Sequence, residues 1–254
     1  MRPVSPHVIR HRRPAAHAAL GTALLVAGLA VPAASASAAP VAATGPAPVA
    51  ATGPAAGAAV TLAAANQPTL RQGSRGAAVS ALQARLTALR YDVGGVDGIF
   101  GPSTHHAVVA FQKVNGLVRD GIVGPRTRAA LDRPVVPRPR YTHPGYSVEA
   151  DLTRQVLYLA KRGVVVRILD ASSGKASTPT PTGDWTVGRR IDGWRQSDLG
   201  LLWRPNYFHR GYAVHGATSV PTYPASHGCV RVPVRAMDRL WTTIRVGTPV
   251  HVYR

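Results

Sequence analysis

Cys229 is the only cysteine among 254 residues, so it cannot form an intramolecular disulfide. It stands in the run Ser226-His227-Gly228-Cys229-Val230-Arg231, and a second histidine, His215, precedes that run. A thiol becomes an effective nucleophile when a neighbouring imidazole or positive charge lowers its pKa from about 8.5. These residue types therefore indicate a cysteine nucleophile with His215 as its general base.

Two short strands are predicted to position these groups. Residues 211–214 form an apolar run before His215, and residues 229–232 alternate between polar and apolar side chains. Side chains two apart in a strand share a face, so Val230 and Val232 are expected in a core. The opposite face is then expected to carry His227, Cys229 and Arg231.

The neighbouring residues have predicted supporting roles. Glycine lacks a Cβ, so a substrate carbonyl can approach the backbone there and meet N–H groups that form an oxyanion hole. The residues predicted to support the site or the oxyanion are His227, Gly228 and Ser226. The predicted substrate contacts are Arg231, which can pair with a carboxylate, Tyr212 and Gly216.

Two other interpretations of Cys229 remain open at this point. It could be a buried structural cysteine beside unrelated histidines. It could also be a zinc ligand together with His215 and His227, although no fourth Cys or His stands at finger-like spacing. We therefore predict no metal and no cofactor.

Residues 146–254 read as a mainly-β domain. Strand-like segments are predicted at 146–152, 155–160, 164–171 and 249–253, with one helix at about 233–245. Short strands separated by Pro, Gly and Ser predict an antiparallel sandwich or barrel-like architecture. A segment of this length can build its own core.

The motif around Cys229 resembles the signature of L,D-transpeptidases with a YkuD-type catalytic domain. That signature is His-Gly, a spacer, then Ser/Thr-His-Gly-Cys, a hydrophobic residue, and Asn or Arg. Residues 179–185 (Pro-Thr-Pro-Thr-Gly-Asp-Trp) resemble the family's TPTG stretch, and residues 151–159 resemble its first strand pair. The resemblance implies a cell-wall enzyme that forms peptidoglycan cross-links through a Cys229 acyl-thioester on a stem peptide, with release of D-Ala.

Three other functions remain open. Water could resolve the same thioester, which would make the protein an L,D-carboxypeptidase. The chain could be a non-catalytic wall-binding protein, although the cysteine and both motif histidines are present. A metal-dependent wall hydrolase would need a fuller ligand set than this motif offers.

The N-terminal 66 residues are predicted to contain an export signal followed by a linker. Residues 1–38 contain four arginines, no acidic residue, an apolar run at 18–31 and the small-residue stretch Ala34-Ser35-Ala36-Ser37-Ala38. This pattern predicts a secretory signal peptide cleaved near Ala38, with an uncleaved anchor as the alternative. Residues 39–66 are uncharged and rich in Ala, Pro and Gly, which predicts a disordered linker.

Residues 67–133 are predicted to form a small all-α domain. A helical stripe precedes Arg90, and a second helix begins at Pro102. Residues 96–104 and 119–127 repeat one pattern, in which an Asp-Gly turn leads into a helix with proline in its first turn. The segment resembles a three-helix peptidoglycan-binding domain, which implies glycan and stem peptides as partners.

Residues 134–145 contain four prolines and two arginines, and we expect them to form a stiff Pro/Arg linker between the two domains. The formal net charge of the whole chain is +19. Its arginines are scattered rather than clustered on one helix, so we predict no nucleic-acid partner. We expect a secreted, extracytoplasmic protein whose anionic partner is the cell wall, with no stable membrane span after signal cleavage.

Overall fold

The computed structural model describes residues 67–254, which lie within one compact unit. The predicted signal peptide (1–38) and linker (39–66) lie outside the described residues. Within 67–254, none of the helices combines the length and apolar character that a bilayer crossing requires.

The first domain (residues 67–133) contains three helices, as predicted. They are α1 (Ala77–Ala88), α2 (Pro102–Val114) and α3 (Pro125–Asp132). Proline occupies the first turn of α2 and of α3, where its missing N–H costs no intrahelical hydrogen bond. Phe100 and Phe111 are fully buried between these helices, so both belong to the core.

The repeated Asp-Gly turns are each held by a buried glutamine. The side-chain amide of Gln83 donates to the carboxylate of Asp97 at 2.7 Å, and its oxygen accepts from the N–H of Gly98 at 2.9 Å. Gln112 repeats this arrangement with Asp120, at 2.7 Å, and with the glycine that follows it. The motif's aspartates and glycines therefore have a structural explanation as turn residues.

The second domain is mainly β, as predicted. It contains ten strands and one helix in the order β1 (Tyr146–Asp151), β2 (Val156–Lys161), β3 (Val164–Asp170), β4 (Gly183–Thr186), β5 (Arg189–Arg190), β6 (Trp194–Ser197), β7 (Gly200–His209), β8 (Tyr212–Ala217), β9 (Val230–Pro233), α4 (Val234–Trp241) and β10 (Pro249–Tyr253). Helix α4 is shorter than the predicted 233–245, although Ile244 beyond its end still packs in the core.

The strands form two mixed sheets rather than purely antiparallel ones. The first has the order β3-β2-β1-β10-β4, and the second has the order β5-β7-β8-β9 with β6 paired to β7. Pairs β1–β10 and β8–β9 are parallel, so the antiparallel prediction is wrong there. Parallel neighbours need a long connection, and residues 218–229 supply one between β8 and β9.

The two domains contact each other directly. Val156, Tyr158, Val165 and Ile168 of the second domain belong to the same buried cluster as the helices of the first. The backbone next to Tyr91 also pairs with Ile168 on the edge strand β3, through hydrogen bonds of 2.8 and 3.1 Å. The 134–145 connector therefore does not hold the two domains apart.

Candidate active site

Adjacent parallel strands position the residues of the Cys229 motif. Strand β8 carries His215, and β9 begins directly after Cys229, with Val214 opposite Val230 and His215 opposite Arg231. Val214, Val230 and Val232 are buried in the core between the sheets. Side chains two apart share a face, so His215 and Arg231 lie on the face away from this core, as the alternation predicted.

One cavity of about 540 Å³ brings together five of the eight predicted site residues. They are His215, Ser226, His227, Cys229 and Arg231. The remaining three, Tyr212, Gly216 and Gly228, do not line this cavity.

Ser226 closes the turn that presents Cys229. Its hydroxyl donates to the carbonyl of Cys229 at 2.5 Å and accepts from the N–H of Gly228 at 3.0 Å. Because the Gly228 N–H already has this partner, it is not a free oxyanion donor. The predicted use of this N–H in the oxyanion hole therefore needs correction.

Gly228 is required at its position for two reasons. Its φ of +111° lies in the region that favours glycine, and a Cβ there would overlap the ring of Tyr212. The Tyr212 ring thus packs directly against the turn at Gly228. Gly216 is also packed tightly, because a Cβ would lie 2.8 Å from the Trp203 ring.

The backbone fixes the tautomer of His215. Its Nδ1 is 2.9 Å from the carbonyl oxygen of Gly216, and a carbonyl can only accept, so Nδ1 carries the proton. His215 is 4 % exposed, and this burial lowers its pKa to about 4 although the Gly216 contact favours the charged form. At neutral pH the imidazole is therefore uncharged, with an unprotonated Nε2 that can accept a proton.

Burial also favours the neutral form of the Cys229 thiol. The residue is half-buried, and its S–H donates to the carbonyl of Gly211 at 3.9 Å. Burial raises the pKa of Cys229, and a backbone contact with Ala213 and the charge of Arg231 oppose that rise. The sequence predicted a thiolate formed by His215, but the two pKa directions indicate a neutral thiol and a neutral imidazole at rest.

No group of three or more His, Cys, Asp or Glu side chains between residues 67 and 254 is arranged to hold a metal ion. The hydrogen bond from His215 Nδ1 to Gly216 also occupies one of its two ring nitrogens. The zinc alternative for His215, His227 and Cys229 therefore has no geometric support in this part of the chain.

Two protein families match the chain. Residues 75–131 match a putative peptidoglycan-binding domain, and residues 145–252 match the YkuD L,D-transpeptidase catalytic domain. The chain is similar to the solved L,D-transpeptidase (residues 123–326) from Xylanimonas cellulosilytica, with 48% identity and a TM-score of 0.70. That match covers 74% of this chain and 98% of the solved one.

The chain belongs to the L,D-transpeptidase family. Its catalytic domain is of a cysteine-dependent type, and its first domain is a peptidoglycan-binding domain. Two domains directed at peptidoglycan imply that this L,D-transpeptidase works at the cell wall, outside the cytoplasm.

Curated relatives match only part of this L,D-transpeptidase. An uncharacterized protein from Kitasatospora aureofaciens is 50% identical over 70 residues, which are 27% of this chain and 59% of that protein. A probable N-acetylmuramoyl-L-alanine amidase from Bacillus licheniformis is 45% identical over 64 residues, 24% of this chain and 18% of that protein. The chain thus spans less than two thirds of the length of either relative.

Sequence reasoning missed the segment that supports the transpeptidase motif from behind. Residues 171–175, the supporting segment, follow β3 and run beside Ser226 and Arg231. The backbone of Ser172 exchanges hydrogen bonds of 2.9 and 3.0 Å with that of Arg231, and Ser173 accepts from the N–H of Ser226 at 2.9 Å. These are backbone contacts between residues that are distant in the chain, so no sequence motif predicts them.

Another part of the cavity lining comes from β5, β6 and β7. Residues of β5 and of the β6–β7 hairpin line the same cavity as the motif. They include two arginines, Arg189 and Arg195, and exposed apolar side chains at Trp194, Leu199 and Leu201. These residues are distant from Cys229 in the chain, so the periodicity within β6 and β7 does not predict that they share a cavity with it.

Proposed function

We propose that the protein forms peptidoglycan cross-links by cysteine acyl transfer. The single observation that carries this proposal is that His215 and Cys229 line the same cavity, with the Nδ1 proton of His215 held by the Gly216 carbonyl. That tautomer leaves Nε2 unprotonated, as a general base needs. A free thiol and a neutral imidazole together supply the nucleophile and base of a covalent mechanism.

The first half-reaction joins the stem peptide to the enzyme. Cys229 Sγ attacks the carbonyl of the residue that precedes D-Ala, and its proton moves to His215 Nε2. The C–N bond then breaks, and the imidazolium returns the proton to the departing D-Ala amine. Proton transfer accompanies attack in this scheme because neither group is charged at rest. An acyl-thioester on Cys229 remains.

The second half-reaction forms the cross-link. The amine of a neighbouring stem attacks the thioester carbonyl and passes a proton to His215 Nε2. The C–S bond then breaks, and the imidazolium returns the proton to the Cys229 sulfur, which regenerates the thiol. Because the Gly228 N–H is engaged by Ser226, we assign the oxyanion contact to the N–H of Cys229. A backbone donor of this kind is typically worth about 3 kcal/mol to the transition state.

Other cavity residues have proposed substrate roles. Arg231 pairs with a stem carboxylate, because its guanidinium lines the cavity beside Cys229 and matches the carboxylate geometry. His227 is exposed at the same wall and hydrogen-bonds substrate. Tyr212 and Gly216 support the site from behind, and Ser226 shapes the turn.

The proposal extends to export and domain layout. Residues 1–38 act as a secretory signal peptide and 39–66 as a linker to the peptidoglycan-binding domain at 67–133. The 134–145 connector then leads to the catalytic domain at 146–254. N-terminal sequencing of secreted protein is expected to begin near residue 39, and an intact Met1 would count against cleavage.

The acyl-enzyme step is tested with the full chain and a disaccharide-tetrapeptide. Intact-protein mass spectrometry is expected to show an adduct lacking D-Ala, mapped to Cys229, and free D-Ala in solution. The matched Cys229→Ala variant is expected to give neither, while it still binds purified wall sacculi. D-Ala release that persists in Cys229→Ala would rule out the thioester.

A further inference from the structure

The loop that carries the transpeptidase motif is held in part by the peptidoglycan-binding domain. Residues 218–229, the Cys loop, connect β8 to β9 and end at Cys229. Arg119 lies in the second Asp-Gly repeat of the first domain, and its Nη1 donates to the carbonyl of Thr222 at 2.9 Å. This bond joins residues 103 positions apart, and it is a direct contact between the wall-binding domain and the Cys loop.

The other side of the Cys loop rests on the supporting segment 171–175. The hydroxyl of Ser172 donates to the carbonyl of Tyr223 at 2.7 Å, one residue after the Arg119 contact. The carbonyl of Ser173 accepts from the N–H groups of both Ala225 and Ser226, each at 2.9 Å. The positions of Ser226 and Cys229 therefore depend on the position of the supporting segment in the fold.

A buried lysine of the first domain binds the first residue of the supporting segment, Ala171. Lys113 lies at the end of α2, and its ammonium is fully buried. It donates to the carboxylate of Asp170 at 2.5 Å and to the carbonyls of Ala171 and Gln155 at 2.7 and 2.9 Å. All three of its protons thus have partners, two where β3 meets the supporting segment and one in the turn between β1 and β2.

A second side chain of α2 completes this junction. His106 Nδ1 lies 2.7 Å from the other carboxylate oxygen of Asp170. Because a buried charge is costly without a partner, Asp170 and Lys113 hold each other in one geometry. The first domain therefore holds the region around Cys229 at two places. Lys113 binds the start of the supporting segment, and Arg119 binds the Cys loop itself.

We propose that Arg119 and Lys113 of the peptidoglycan-binding domain are positioning residues for Cys229. The wall-binding domain is then a structural part of the active site as well as a wall anchor. This inference rests on the proposed acyl transfer, in which a displaced nucleophile slows attack. A shift of about 1 Å at a reacting group can reduce rate about 100-fold.

Arg119 gives the sharper test because it is half-exposed and its loss leaves no buried charge. The full-length Arg119→Ala variant is compared with Arg126→Ala, which removes an exposed arginine from α3 of the same domain. We expect kcat for D-Ala release from a soluble disaccharide-tetrapeptide to fall about tenfold in Arg119→Ala only. KM, melting temperature and sacculus binding are expected to match those of Arg126→Ala.

A conservative variant separates positioning from a general structural effect. Arg119→Lys keeps a donor that can reach the Thr222 carbonyl, so we expect it to recover part of kcat. An unchanged kcat in Arg119→Ala would overturn the inference. Loss of sacculus binding with unchanged kcat on the soluble substrate would also overturn it, because Arg119 would then contact the wall.

The buried ion pair provides the second arm. Lys113→Met alone leaves Asp170 buried without its cation, so it is paired with the double variant Lys113→Met, Asp170→Leu, which removes both charges. We expect the double variant to fold and bind sacculi but to show reduced kcat. Wild-type kcat in a folded double variant would remove Lys113 from the account. If Lys113→Met does not fold, the Arg119 series decides the inference.

Failure of the proposed function is distinguishable from failure of this inference. If the wild-type protein releases no D-Ala, the acyl-transfer proposal fails. The rate constant for iodoacetamide alkylation of Cys229 still reports the environment of the thiol. We expect that rate constant and its pH dependence to change in Arg119→Ala and to stay at the wild-type values in Arg126→Ala. Identical profiles in all three proteins would contradict the positioning role.

Discussion

His215 on β8 and Cys229, the residue before β9, line one cavity, and burial favours the neutral form of each side chain. The imidazole is held by the Gly216 carbonyl and the thiol by the Gly211 carbonyl. A resting ion pair between them is therefore disfavoured. We therefore expect proton transfer from Cys229 to accompany its attack on the substrate.

The pH dependence of turnover is expected to show a low acid limb. His215 must be neutral to accept a proton, and burial lowers its pKa to about 4. Activity should therefore persist well below the usual histidine pKa of about 6.5. It should decline near pH 4. The measurement is kcat/KM for D-Ala release between pH 3.5 and about 9. His227→Gln should share this profile, and a limb near pH 6.5 would show that His215 is not the base.

Burial of His215 also makes stability depend on pH. Its folded-state pKa lies below the unfolded value of about 6.5, so the unfolded chain binds the proton more readily between the two values. The free energy of unfolding is therefore unaffected by His215 above about pH 6.5. It decreases by roughly 3 kcal/mol as the pH falls from there towards 4, because the unfolded chain takes up the proton first. Urea unfolding of the wild type and His215→Gln at several pH values measures it. Equal pH slopes in the two proteins would contradict the assignment.

The turn before Cys229 is expected to tolerate no side chain at Gly228. An alanine there would have to adopt a φ of +111° and displace the Tyr212 ring. Gly228→Ala should reduce kcat by at least about 100-fold through misplacement of the thiol. Gly188→Ala is the matched control, because its Cβ would meet nothing within 4 Å. Comparable activity in the two variants would show that the turn adapts.

The glutamine that holds each Asp-Gly turn is expected to matter for stability more than for wall contact. Gln112→Leu leaves the buried Gly121 N–H without its acceptor and removes one of the two donors to the Ile122 carbonyl. We expect a loss of about 1–3 kcal/mol in unfolding free energy, measured by chemical denaturation. Gln67→Leu, at an exposed position, should cost much less. A loss of sacculus binding at unchanged stability would instead indicate a ligand contact.

Local sequence pattern accounts for much of the fold and for the motif. Alternation around Cys229 predicted which side chains face the core, and Val230 and Val232 are there. Proline at Pro102 and Pro125 predicted the starts of α2 and α3. These features depend on residues that are close together in the chain, so one sequence suffices to find them.

The remaining features depend on contacts between distant residues. Pairing of β8 with β9 in parallel, and the placement of Tyr212 behind Gly228, follow from packing of the whole domain. The bond from Arg119 to Thr222 has no local signature either. Periodicity reports the exposed face of an element but not its neighbour, so these relationships required the structure.

Cross-link formation is the most direct test of the central claim. The full-length protein is incubated with a disaccharide-tetrapeptide, and the products are separated and identified by mass spectrometry, with Cys229→Ala as the control. We expect a dimeric muropeptide and one released D-Ala for each new cross-link, with neither in the control. Tripeptide without dimer would show that water resolves the thioester, and the protein would then be an L,D-carboxypeptidase instead of a cross-linking enzyme.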